Sequence, residues 1–242
     1  MSRTPVKMTV DEVMDFLKEH GNESTKKIYV RHGAREPFDG VKVSDLKTLV
    51  KKIKKDHALS LQLFDTGNSD AMYLAGLIAD ADQMTEALLN DWADKAYWYM
   101  ISEFTVPWTA ADSGHGRDLA MRWMQHPEER FASAGWATYS SILATRPDEE
   151  LDHDEIRGLL EEVKAGVHDA QNRVRMTMNA FVIAVGSYVP ALSKEAKAVA
   201  RAIGKVQVDL GDTACKVPLA TEYIAKVEAR GTVGKKRKGA RC

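Results

Sequence analysis

Cysteine is almost missing from this chain: two in 242 residues, Cys215 and Cys242. That excludes a disulfide framework, and the two are spaced for no metal site. The seven histidines are scattered, with neither HExxH nor a Cys/His cluster, so no metal and no cofactor is expected. Proline is scarce, at 7 residues, and the 44% hydrophobic and 29% charged content is that of an ordinary folded protein, which excludes disorder over most of the length. No apolar run approaches the roughly 18–20 residues of a membrane span, and MSRTPVKMTVDEV lacks the apolar stretch of a signal peptide. The chain therefore reads as non-membrane and cytoplasmic.

What is present is charge, unevenly spread. The formal net charge is only −1. Yet DEELDHDEIRGLLEEV (148–163) is acidic, whereas the tail GTVGKKRKGARC is strongly basic. Such asymmetry suits a basic surface that faces a polyanion, although a basic terminus is also a common solvated end.

Helical periodicity dominates the rest, and the fold reads as all-α. Thr9 and Glu12 form a capping-box pattern before VMDFLKEHG, whose Gly21 is a natural stop. Ser24 is positioned to cap TKKIYVRHG, and Ser44 to cap DLKTLVKKIKK. QMTEALLNDWADKAYWYMISEF reads as one helix. Only KVQVDLGD (205–212) alternates like a strand. Short polar joints and a recurrence of about 40 residues per helix pair suggest one array of helical hairpins over 1–230, followed by a basic tail over 231–242. Trp92, Trp123 and Trp136 sit among Leu, Met and Ala at helical spacing and read as packing.

NRVRMTMN opens an apolar helix with Arg173, Arg175 and Asn179, a composition suited to phosphate oxygens. The arginines are equally suited to pairing with the acidic 149–162 segment. Lys235, Lys236, Arg237, Lys238 and Arg241 would clamp a nucleic-acid backbone without reading bases. No base-reading helix-turn-helix or zinc finger is visible, so recognition would be of shape, charge or damage.

FDGVKVSDLKTLVKKIKKDHALSLQLFDTGNSDAMYLAGLIAD, GWATYSSI, NRVRMTMNAFVIAVGSY, GDTACKVPLATEYIAKV and GTVGKKRKGARC, in that order, resemble the DNA alkylation repair family, the AlkD-like HEAT-repeat proteins. The resemblance implies an α-solenoid of HEAT-like repeats, a curved superhelix whose concave face holds duplex or damaged DNA; a monomer is expected. It also implies a metal-free glycosylase that excises cationic N3- and N7-alkylpurines, using an aspartate flanked by tryptophans and an arginine. The chemistry suits those groups, because the leaving base already carries its charge and a carboxylate need only stabilise the sugar cation.

The family's Trp followed four residues later by Asp has two registers here. PWTAADS supplies Trp108 and Asp112. AYWYMISEF supplies Trp98, with Ser102 four residues on and Glu103 one step further, displaced by about 100° around the helix. In that register Ala134 and Gly135 stand where the arginine is expected. The candidate catalytic residues are thus Asp112, Glu103, Trp108 and Trp98, while Asp112 also reads as a cap for GRDLAMRW and Trp108 as packing. Beside the enzyme stand a non-catalytic binder of damaged or branched DNA and a helical scaffold for another protein.

Overall fold

The computed structural model describes residues 7–241, and every regular element among them is helical. The N-terminal part comprises α1 (Val10–His20), α2 (Glu23–Arg31), α3 (Val43–Ile53), α4 (His57–Asp65) and α5 (Ser69–Ile78). Next come α6 (Glu86–Lys95), α7 (Val106–Asp112), α8 (Gly116–Met124) and α9 (Glu129–Thr145). The chain continues through α10 (His153–Gly166), α11 (Asn172–Tyr188), α12 (Ser193–Ile203) and α13 (Ala220–Ala229).

Short side chains that accept backbone N–H groups set six of the thirteen helix starts among the described residues. Thr9 and Glu12 complete the expected capping box, and Asn22, Asp56, Asn68, Thr85 and Asp152 cap α2, α4, α5, α6 and α10. Two expected caps are corrected. Asn22 rather than Ser24 caps α2, and α3 begins at Val43 with no side-chain cap, which leaves Ser44 inside the helix.

The segment expected as one helix over 83–104 is broken at Ala96–Trp98. There the Tyr97 hydroxyl donates to the Arg35 carbonyl at 3.0 Å and Trp98 turns into the core, so tertiary contacts outweigh local helix preference. The alternating stretch 205–212 pairs with no strand among the described residues. Both backbone groups of Asp209 are met instead by the Asn172 side-chain amide, at 2.7 and 2.8 Å.

From α4 onward the helices form two rows. The pairs α4–α5, α6–α7, α8–α9, α10–α11 and α12–α13 stack so that α5, α7, α9, α11 and α13 lie side by side as one row. α1 and α3 close the N-terminal end against α4 and α5. Two sections of apolar core meet where α8 and α9 contribute side chains to both, which makes the array continuous. The repeat is legible in ion pairs between successive hairpins. Arg122–Glu86, Arg130–Asp94, Arg117–Glu155 and Arg157–Glu195 link successive hairpins at separations of 36, 36, 38 and 38 residues.

The basic tail packs along this array. Gly234 N–H donates to the Ser187 carbonyl, Lys236 Nζ to the carbonyls of Tyr188 and Leu143, and Arg237 N–H to that of Ala144. Ala240 N–H reaches the Asp112 carboxylate, and Arg241 Nη1 the carbonyls of Ala79 and Leu77. The tail therefore visits the C-terminal ends of α11, α9, α7 and α5 in turn, which requires these four helices to run parallel. Those ends carry unpaired carbonyls and the negative pole of the helix dipole, which is why a chain of N–H groups and cations fits there.

Candidate nucleic-acid interface

A helix runs from Tyr99 through Asp112, and its middle, Ile101–Thr105, is a turn of π-helix. Pro107 has no N–H to return to the preceding turn, and the Thr105 hydroxyl donates five residues back, to the Met100 carbonyl at 3.2 Å. The widened turn changes which residues share a face. It aims Glu103 at α11 across the row.

Glu103 is 8% exposed and forms a two-pronged ion pair with Arg173, whose Nε and Nη2 each lie 2.6 Å from a carboxylate oxygen. The Arg173 guanidinium also covers the Tyr99 ring, 4.7 Å from its centre. Burial pushes the Glu103 carboxyl above the ordinary glutamate range, against the pull of Arg173. Burial works against the charge of Arg173 too, but Glu103 outweighs it and holds the guanidinium protonated. The backbone N–H of Arg173, in the first turn of α11, donates to Glu129 at 2.7 Å.

Beside this pair opens a cavity of about 380 Å³, lined by Arg31, His32, Tyr97, Trp98, Tyr99, Arg173, Met176 and the 209–215 segment with Cys215. Its aromatic wall is contiguous, Trp98–Tyr99 at 5.3 Å and His32–Tyr99 at 5.9 Å, and is backed by Tyr29, 5.7 Å from Trp98. Of the four catalytic candidates, Trp98 borders the cavity and Glu103 lies against it through Arg173. Trp108 and Asp112 lead away from it. Trp108 is 5% exposed and packed between Tyr73 and Phe104.

Asp112 ends α7, where its carboxylate accepts from Ala240 N–H at 3.3 Å and lies 3.6 Å from Arg241 Nε. It does not cap α8. Ser113 takes the loop position instead, accepting from His115 N–H at 3.2 Å.

Other expectations are corrected by burial. Asn179 is 1% exposed and donates to the Pro218 carbonyl, so it has no face toward solvent. Arg175 bonds the Ala170 carbonyl at 2.6 Å, and with Arg173 on Glu103 neither arginine pairs with the acidic helix α10. Lys236 is held by carbonyls and by Asp148 at 2.8 Å, while Lys235, Arg237 and Lys238 remain on the surface. Trp92, Trp123 and Trp136 are core, at 1%, 3% and 1% exposed.

At Gly135 a Cβ would lie 2.6 Å from Met124 N and 2.8 Å from the Ala120 carbonyl, and Ala134 is fully buried. Close packing of α8 on α9 therefore excludes an arginine from this point. His32, Tyr99, Met176 and Cys215 join the site, and Asp70 supports it, without any mark in the sequence that singles them out. The Asp70 carboxylate, 3% exposed, accepts the N–H groups of Asp39, Gly40 and Val41 and fixes the loop after α2. No short motif marks these residues, because four distant segments supply the cavity.

Two rows of paired helices, a repeat near 37 residues and an aromatic cavity flanked by arginines define an α-solenoid of HEAT-like repeats. The family model described as DNA alkylation repair enzyme matches residues 13–207, and the chain belongs to that family. Uncharacterised proteins of Listeria monocytogenes and Listeria innocua are each 31% identical over 229 residues, spanning 92% of this chain and 99% of theirs. A solved structure superposes with a TM-score of 0.90 at 38% identity, covering 97% of this chain and all of that one. It is described as a new family of proteins related to the HEAT-like repeat DNA glycosylases, with affinity for branched DNA structures.

Proposed function

We propose that this chain binds branched DNA through the face that carries the Tyr97–Trp98–Tyr99 cavity, and that it does not excise alkylated bases. The carrying observation is the buried Glu103–Arg173 pair, two contacts of 2.6 Å. Hydrolysis of an N-glycosidic bond needs a carboxylate free to stabilise positive charge on the sugar. Here the candidate beside the cavity is already neutralised by an arginine, and the other, Asp112, is engaged by the C-terminal tail. A cationic alkylpurine entering the cavity would also meet the Arg173 guanidinium, a like charge on the aromatic face it would need.

Binding is supported by the cations around the cavity. Arg31, Arg35 and Lys216 are exposed at or near its rim, with Arg35 stacked 4.7 Å over Tyr97. The affinity of the 38%-identical neighbour for branched DNA points to the same ligand class.

The test measures affinity for a four-way junction and for linear duplex of equal length across a salt series, together with base release from methylated duplex. The expected result is tighter binding to the junction, a steep fall with salt and no release above spontaneous depurination. Release of 7-methylguanine or 3-methyladenine that Glu103→Gln or Asp112→Asn abolishes would establish the glycosylase instead.

A further inference from the structure

Helix α2 is mounted unlike the others. It is anchored by one side, through buried Thr25 and through Tyr29, whose hydroxyl donates to the Val41 carbonyl at 3.1 Å and whose ring meets Trp98. The opposite arc points to solvent. At 100° per residue, Lys27 and Arg31 occupy the middle of that arc and Val30 and Ile28 its two edges, with exposed Glu23, in the first turn, between Val30 and Lys27, and Ser24 beside Arg31. Val30 is 54% and Ile28 47% exposed, and they are two of the three large apolar side chains that stand exposed among the described residues. Lys26, on the inner edge, is occupied by Glu36 at 2.7 Å, whereas Lys27 and Arg31 have no ion pair among the described residues.

The mounting is stiff. Gly40, at φ +77°, passes so close that a Cβ there would lie 2.8 Å from Lys26 N, and Asp70 clamps the same loop through three N–H groups. The C-terminal end of α2 then opens on the cavity, since Arg31 and His32 are part of its lining.

We infer that α2 is the branch-reading element, resting on the reading above that the cavity face binds branched DNA. It lies along one arm, with Lys27 and Arg31 on phosphates and Ile28 and Val30 against the sugar and base surfaces that a branch point leaves unstacked. A continuous duplex stacks its bases and offers the apolar pair little to cover, whereas a branch exposes apolar base faces beside a dense phosphate charge. A helix with cations at its centre and aliphatics at its margins is complementary to that combination.

Two surface variants separate the two parts. Lys27→Ala with Arg31→Ala is expected to weaken binding to junction and duplex alike and to lower the slope of log affinity against log salt by about 2. Ile28→Ser with Val30→Ser is expected to raise the junction Kd about tenfold, with the duplex Kd and the salt slope unchanged. A 2-aminopurine at the branch point should brighten on binding the native protein and brighten less with the second variant. Thermal melting confirms folding, which these exposed positions should leave intact.

Native junction affinity with both variants indistinguishable from the native protein would overturn the role of α2 while leaving branched-DNA binding standing. An equal loss on junction and duplex from the apolar variant would overturn branch reading. A native protein with no preference for the junction would remove the reading on which the inference rests.

Discussion

At the scale of single residues, the Glu103–Arg173 pair decides most. Its carboxylate side chain is 5% and its guanidinium side chain 20% exposed, so removing one partner strands the other in the protein interior. Arg173→Ala should destabilise the fold by about 3–5 kcal/mol in urea denaturation, whereas adding Glu103→Gln to it should recover a large part of that loss. Additive losses would mean that the two groups do not sense each other. The aromatic density around Tyr97–Trp108 was legible in the sequence, as was the interior place of Trp92, Trp123 and Trp136. That Glu103 rather than Asp112 would lie against the cavity was not, because the choice depends on a π-helical turn and on a partner 70 residues away.

At the scale of elements, the basic tail behaves as a strap across helix ends. The run KKRKGAR reads equally well as a phosphate clamp or as a solvated end, since composition cannot reveal what a lysine meets. In the fold, Lys236 and Arg241 satisfy carbonyls of α5, α9 and α11 and the residues just after them. Burial makes Arg241 easier to deprotonate than a free arginine, with Asp112 opposing. Deleting residues 234–242 should lower the melting temperature by several degrees, with hydrogen exchange accelerating first at the C-terminal turns of α5, α9 and α11. Unchanged melting and exchange would show that the strap contributes nothing to stability. Capping was only partly readable for a similar reason. Thr9–Glu12 is a purely local device, whereas Asn22 prevails over Ser24 once Thr25 is buried.

At the scale of the whole molecule, the hairpins share one core. Leu119 and Trp123 of α8 belong to the first section and Ala120 and Met124 to the second, so neither section can lose its packing alone. Calorimetry should show one transition, with calorimetric and van't Hoff enthalpies equal. Two separated transitions would mark a weak joint at α8–α9. Ion pairs spaced by 36–38 residues knit the hairpins, and individually they add little to stability because they are exposed.

The sequence by itself determined the helical class, the repeating hairpins and the family, because periodicity and capping act within a few residues and the matching segments persist in order along the chain. Only the tertiary structure decided which carboxylate meets the cavity, that Asn179 and Lys236 turn inward, and that α2 presents an unpaired cationic and aliphatic arc. Those outcomes depend on contacts between segments 30 to 160 residues apart. Burial there sets the cost of every charge, and no local pattern encodes which residues will meet.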